Sequence, residues 1–120
     1  MITSKSELRE YIEADKKANH FSCLSRITNT RCKLLRTLRK FEYLMNTKAS
    51  RLHILIYRCR LQDLSERLGI TIGPNSFGKG LYLPHYGSIV VNGSARFRVG
   101  CIVQNGVNVS ESFVCGGVFI

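Results

Sequence analysis

The sequence predicts an α+β protein with a helical N-terminal segment over residues 1–69 and a parallel β-helix over residues 70–120. In the second part, apolar residues recur every six positions, a period that neither a helix nor a strand produces. A six-residue period is typical of hexapeptide-repeat β-helices. The composition changes at the same boundary: all ten glycines lie at or after Gly69, whereas sixteen of the 18 Lys and Arg residues lie at or before Lys79.

The six-residue register defines which side chains we expect inside the β-helix. Each hexad contributes one short strand and a turn, and its apolar residue points inward. The register is displaced by two residues once, between Leu83 and Val91, and then resumes. Its members are Thr71, Phe77, Leu83, Val91, Phe97, Val103, Val109 and Cys115. The asparagines that we expect, with the glycines, at corners of positive φ are Asn75, Asn92, Asn105 and Asn108.

Apolar residues recur at helical spacing in the N-terminal segment, and this pattern predicts three helices, each with one apolar face. Residues 4–7 have the S-x-x-E spacing of a capping box, so the first helix begins there and runs to about Lys17. The second helix begins near residues 29–30, and the third begins after Ser50. Gly69 is well placed to end the third helix.

The excess positive charge belongs to the helical segment. Eighteen Lys and Arg residues against eight Asp and Glu residues give a net charge of +10, which favours an anionic partner such as nucleic acid, acidic lipid or a phosphorylated cofactor. A helix-turn-helix unit around residues 44–49 would use this charge, but it would leave the hexad half without a role, so nucleic acid is disfavoured. The simpler interpretation is a set of solvated helix faces, one of which carries Arg31, Lys33, Arg36, Arg39 and Lys40.

The five cysteines form no C-x-x-C pair, so the sequence favours neither a zinc site nor a redox motif. Their spread indicates reduced, mostly buried thiols. The sequence contains no apolar run of about 18 residues that would span a membrane, and charged residues within positions 5–10 do not fit a signal peptide. Together these features predict a cytoplasmic protein.

His85 is the candidate catalytic residue. The displacement of the register corresponds to an insertion at a corner, and such an insertion lifts side chains off the wall. Pro84 and Gly87 are typical of a turn at this point of the backbone, so we expect His85 to point outward. An imidazole suits removal of a proton from an alcohol near neutral pH. His20 and His53 lack this context and are interpreted as structural, and no histidine has a second ligand at a spacing useful for a metal.

One segment resembles the serine acetyltransferase-like branch of the hexapeptide acyltransferases: it reads GKGLYLPH over residues 78–85 and IVVN over residues 89–92. It is most similar to the variants found in bacterial polysaccharide and capsule gene clusters. The resemblance covers residues 68–110 and implies a left-handed β-helix, although parallel crossovers are usually right-handed. It also implies an acetyl-CoA-dependent O-acetyltransferase whose acceptor is a hydroxyl of serine, as in cysteine biosynthesis, or of a sugar.

The resemblance assigns roles to two residues of this chain. In the resembled enzymes, the histidine that matches His85 is the general base, and the hydroxyl that it deprotonates attacks the thioester of acetyl-CoA. The family also implies a homotrimer in which coenzyme A is held by two subunits. Its phosphates would then use basic residues such as Lys79.

The chain departs from the resembled enzymes at several positions. They carry an aspartate fifteen residues before the histidine, where this chain has Ile70, and another directly before it, where this chain has Pro84. They also continue with further coils beyond the stretch that matches residues 106–109, so we expect this chain to be truncated at its C-terminus. Two alternatives follow: a catalytically inactive hexapeptide-repeat protein with a structural or oligomerising role, and a basic nucleic-acid-binding module.

Overall fold

The computed structural model describes residues 1–22, 24–91, 93, 95–104 and 106–109. Helices form the first part of the chain and short strands follow. The helices are α1 (Lys5–Ala18), α2 (Ser25–Thr28), α3 (Thr30–Asn46) and α4 (Arg51–Leu68). The strands are β1 (Ile70–Ile72), β2 (Ile89–Val91) and β3 (Asn108–Val109).

The ends of the three long helices are set by local capping. Ser4, Asn29 and Ser50 each accept hydrogen bonds through their side chains from N–H groups of the following first turn, which would otherwise have no partner. Gly69 follows α4 with φ 67°, a left-handed conformation that glycine adopts easily. The predicted positions of these three helices are therefore confirmed, whereas the short helix α2 was not predicted.

The strands form a three-stranded parallel sheet in the order β1-β2-β3. Ile70 pairs with Ile89, and Val91 pairs with Val109. Side chains in β1 and β2 alternate buried, exposed, buried, as expected for strands with one face on the core. The sheet is therefore covered on one side only.

The predicted left-handed β-helix is wrong. In the described residues, strands do not recur in each hexad: β1, β2 and β3 begin at residues 70, 89 and 108 and pair as one small sheet. The residues between them form turns, bends and isolated parallel bridges, such as the one that joins Phe77 and Phe97. A six-residue apolar period reports which side chains face the core, but it does not fix the path of the backbone between them.

The register does identify core residues. One buried cluster contains side chains from α3, α4, the sheet and the connections between strands. The rings of Phe77 and Phe97 stack within it, with centroids 4.7 Å apart. Buried register members are Phe77, Leu83, Val91 and Val103, and partly buried ones are Phe97 and Val109. The helices and the strands therefore share one core.

The expectations for individual residues of the register and of the corners are confirmed at some positions and wrong at others. Thr71 is exposed, because it is the outward residue of β1. Asn75 has φ 60°, as expected at a corner, but Asn108 lies in β3. Four other residues of these expectations lie outside the described part of the chain: Cys23, Asn92, Asn105 and Cys115.

Among the described cysteines, Cys32 is buried and Cys101 is half-buried, but Cys59 is exposed on α4. The expectation of mostly buried thiols is therefore wrong for Cys59. In the described part of the chain, none of the helices has the length and apolar character needed to cross a membrane.

Candidate functional site

The connection between β1 and β2 carries both predicted site residues, Lys79 and His85. We call residues 73–88 the β1–β2 loop. All of its residues are described, and none belongs to a helix or to a strand of the sheet. Its backbone N–H and C=O groups need hydrogen-bond partners from elsewhere, and side chains of α1 and α3 supply many of them.

Arg39 on α3 is fully buried and anchors the middle of the loop. Its guanidinium donates to the carbonyl oxygens of Phe77 (Nη1, 2.9 Å) and Gly78 (Nη2, 2.8 Å). It also donates to both carboxylate oxygens of Asp15 on α1, at 2.6 Å from Nε and 3.1 Å from Nη2. Nη1 donates to Glu42 Oε1 at 3.1 Å. Every N–H group of the guanidinium therefore has an acceptor, the condition under which a buried arginine is tolerated.

Asp15, Arg39 and Glu42 form what we call the charged cluster, and its carboxylates also bind the loop. Asp15 Oδ1 accepts from the N–H groups of Gly80 and Leu81, both at 2.9 Å. Glu42 Oε2 accepts from the N–H group of Asn75 at 2.7 Å. The charged cluster thus satisfies donors and acceptors of the loop at the same time.

The charged cluster contains two carboxylates and one guanidinium in a buried place. Burial alone would lower the pKa of Arg39, but the hydrogen bonds and charges of Asp15 and Glu42 raise it above its ordinary value. Burial raises the pKa of Glu42, and the positive charge of Arg39 offsets this only in part. The negative charge of Glu42 therefore costs stability, which makes the cluster sensitive to pH.

Two asparagines outside the loop, Asn46 and Asn19, hold further parts of it. The side-chain amides of Asn46 and Asn75 exchange two hydrogen bonds, at 3.0 and 2.9 Å. Asn19, directly after α1, donates to the carbonyl oxygen of Leu81 at 2.7 Å and accepts from the N–H group of Leu83 at 2.8 Å. The loop is therefore fixed on both sides of the charged cluster.

Arg31 at the start of α3 fixes the backbone directly before His85. Its Nη1 donates to the carbonyl oxygens of Leu83 and Pro84, both at 2.6 Å. His85 itself is exposed, and its imidazole makes no hydrogen bond with any described residue. The structure therefore presents His85 to solvent from a backbone position that α3 holds in place.

Lys79 is held by α1 instead. Its ammonium group forms a hydrogen bond and an ion pair with the carboxylate of Glu10. The hydrogen bond and the charge of Glu10 raise the pKa of Lys79. A phosphate at this position would compete with Glu10 for the ammonium group. Lys79 is thus oriented by α1, whereas α3 holds only the backbone before His85.

The position of the orienting aspartate in the resembled enzymes corresponds to Ile70. Ile70 is fully buried in β1 and pairs with Ile89. A carboxylate at this position would enter the apolar core and would not reach solvent, where His85 lies. This chain therefore has no means of orienting the imidazole from position 70.

No family model, no curated protein and no solved structure matches this chain.

The other two histidines do not belong to the loop. His20 is exposed after α1 with φ 57°. His53 is exposed in the first turn of α4, where its Nδ1 lies 2.7 Å from Oγ of Ser50. Within the described residues, no group of three His, Cys, Asp or Glu side chains could hold a metal ion.

Sequence reasoning missed the charged cluster. It assigns Arg39 to a solvated helix face, and this assignment is wrong because Arg39 and Glu42 are both buried. A signal was present: Leu35, Arg39 and Glu42 follow the i, i+4, i+7 spacing of a single helix face. Since Leu35 belongs to the apolar face, this spacing places Arg39 and Glu42 on the same face. Asp15 carries a comparable signal on α1, because it stands seven positions after Leu8 and three after Ile12, on the apolar face of that helix.

Proposed function

We propose that the chain is an acetyl-CoA-dependent O-acetyltransferase that acts on a hydroxyl of serine or of a sugar, with His85 as the general base. The observation that carries this proposal is the placement of His85. Its imidazole is exposed, and the backbone before it is held by two hydrogen bonds of 2.6 Å from Arg31. The surrounding residues 78–85 are those that resemble the serine acetyltransferase-like enzymes.

The proposed reaction combines one proton transfer with one acyl transfer. The imidazole accepts the proton of the acceptor hydroxyl while the hydroxyl oxygen attacks the thioester carbonyl. The tetrahedral intermediate then loses the thiolate as the C–S bond breaks, and the imidazolium returns the proton to the thiolate sulfur. The products are an acetyl ester and free coenzyme A. A preorganised loop suits this chemistry, because the backbone that carries the base is held in place before the substrates bind.

Lys79 is the proposed contact for the phosphates of coenzyme A. Its ammonium group is partly exposed, so a phosphate can approach it, although Glu10 is its partner in the free protein. The proposal includes a homotrimer in which two subunits hold coenzyme A, and a cytoplasmic location, where acetyl-CoA is available. Sedimentation that shows only a 13.6 kDa species would contradict the trimer.

Release of thiol from acetyl-CoA, with serine or a sugar mixture as acceptor, tests the proposal. We expect His85→Asn to lower turnover by about 10²–10⁴-fold and to leave acetyl-CoA binding nearly unchanged, because a general base acts in the transition state. His20→Asn is the matched control: it changes another exposed histidine and should keep the wild-type rate.

The outcomes separate the alternatives. Equal rates for the wild type and His85→Asn would show that His85 is not the base. A wild-type protein that releases no thiol with any acceptor would contradict the enzymatic proposal and would favour an inactive protein with a structural or oligomerising role.

Arg31 is a positioning residue in this proposal. Arg31→Met removes both hydrogen bonds to the backbone before His85, so kcat should fall and amide hydrogen exchange in residues 85–88 should become faster. Lys33→Met is the control, since Lys33 is an exposed neighbour on α3. It should change neither quantity.

A further inference from the structure

Helix α4 carries two apolar stripes on opposite sides. The first faces the core and contains Ile54, Tyr57, Leu61, Leu64 and Leu68. The second lies in solvent and contains Leu52, Leu55, Ile56 and Cys59. Members of the second stripe follow the i, i+3, i+4, i+7 spacing of one helix face. Leu52, Leu55 and Ile56 are 66%, 55% and 44% exposed, so no described part of the chain covers this exposed stripe.

Basic residues flank the exposed stripe on both sides. At about 100° per residue, Arg51 and Arg58 lie on one flank and Arg60 lies on the other. No Asp or Glu occurs between positions 48 and 62. Beyond Arg60, the positive charge continues into the groove between α3 and α4, whose basic lining residues on α3 are Lys33, Arg36 and Lys40.

Few of these charges are neutralised. Within the described residues, none of the basic side chains on the flanks or in the groove forms an ion pair with a carboxylate. Asp63 is the carboxylate that lines the groove, and it pairs with Arg67 at 3.2 Å. The surface therefore combines an aliphatic stripe with an uncompensated positive field.

We propose that this face of α4 docks on the surface of a bilayer that contains anionic lipids. Aliphatic side chains would enter the boundary between headgroups and acyl chains, while the arginines on the flanks extend to lipid phosphates. Juxtaposition of an exposed aliphatic stripe and basic flanks is typical of helices that lie in this interface. The inference does not depend on the acetyltransferase activity proposed above.

The charges around the stripe favour an anionic bilayer over two other occupants, a second copy of the chain and nucleic acid. A second copy of the chain on the same stripe would bring Arg51, Arg58 and Arg60 of both copies together, and like charges in an interface are unfavourable. Nucleic acid would use the basic groove but would leave the aliphatic stripe in water. An anionic bilayer satisfies both the stripe and its flanks.

Vesicle cosedimentation tests the proposal. We expect the wild-type protein to bind vesicles of mixed phosphatidylglycerol and phosphatidylcholine and to remain free with phosphatidylcholine alone. Binding should weaken with added salt, because screening reduces attraction between the arginines and the lipid phosphates. Ile56→Asp should lower the affinity for the anionic vesicles by about tenfold or more, because a carboxylate enters the stripe.

Ile102→Asp is the matched control. Ile102 is 46% exposed, against 44% for Ile56, but it lies in the strand half of the chain, so this variant should bind like the wild type. Leu55→Glu provides a second change within the stripe, and thermal unfolding of each variant verifies that it is folded.

Several results would overturn the proposal. These are equal loss of vesicle binding in Ile56→Asp and Ile102→Asp, equal binding of the wild type to both kinds of vesicle, and no vesicle binding by the wild type. A dimer that Ile56→Asp dissociates, in the absence of vesicle binding, would identify a second copy as the occupant instead.

Discussion

Asp15 on α1 and Arg39 on α3 meet side by side, with 2.6 Å between Oδ2 and Nε and 3.1 Å between Oδ1 and Nη2. Asp15 Oδ1 also accepts hydrogen bonds from the N–H groups of Gly80 and Leu81. The pair therefore joins two helices and the β1–β2 loop at one buried point. Removing Arg39 would leave Asp15 and Glu42 without their cation, whereas removing Asp15 would leave Arg39 with Glu42 as its remaining countercharge.

Arg39→Met should lower the free energy of unfolding by about 3–5 kcal/mol, because the carboxylates of Asp15 and Glu42 would be left buried without a cation. Arg67→Met is the matched control. It breaks the ion pair with Asp63, both of whose side chains are exposed, and should cost less than about 1 kcal/mol. Urea unfolding measures both values, and similar losses in the two variants would contradict the buried role of Arg39.

Stability should depend on pH through Glu42. Burial raises its pKa in the folded protein above the ordinary value of 4.5, so the folded state binds this proton more tightly than the unfolded chain does. The contribution of Glu42 to stability is therefore fully present below pH 4.5 and is lost as the pH rises through the raised pKa. Over this window, the wild type should lose stability relative to Glu42→Gln. Urea unfolding at a series of pH values would show parallel curves if this assignment were incorrect.

Ile70→Asp should destabilise the fold by at least about 3 kcal/mol, because it places a carboxylate in the apolar core without a partner. Thr71→Asp changes the adjacent, outward-facing residue of β1 and should cost no more than about 1 kcal/mol, because only strand propensity changes. Thermal unfolding compares the two. If Ile70→Asp kept wild-type stability and increased thiol release, its side chain would have to lie near His85 and outside the core.

Gly78→Ala should cost about 1–3 kcal/mol through overpacking. An added Cβ would lie 2.8 Å from the backbone nitrogen of Val99 and 3.0 Å from the carbonyl carbon of Arg98, and backbone atoms cannot move aside easily. At Gly93 the same Cβ would meet nothing within 4 Å. Gly93→Ala should therefore be nearly neutral in urea unfolding, and equal effects at both positions would disprove the close approach at Gly78.

Much of the helical half could be predicted from the sequence, because its signals are local. Ser4, Asn29 and Ser50 cap helices through groups only two or three residues away, and Gly69 ends α4 through its own φ. These features depend on a few neighbouring residues and not on tertiary contacts.

The strand half and the candidate site could be predicted only in part. The six-residue period correctly identified buried residues such as Leu83 and Val103, because side-chain direction is what a periodicity records. It could not show that the backbone would form three short strands instead of one per hexad. The charged cluster joins residues that are far apart in the sequence, and composition alone assigns arginine and glutamate to the surface.

The hydrogen bonds that hold the β1–β2 loop also impose an order on folding. The bond from Leu81 to Asp15 spans 66 positions, and the bond from Asn75 to Glu42 spans 33. Contacts of such high sequence separation form late, because the intervening chain must first close a long loop. During synthesis, α1 and α3 are made before the loop, so Arg39 and its two carboxylates lack the hydrogen bonds of the loop until it docks. The native core therefore cannot be completed before Leu81 and the buried residues that follow it have been made.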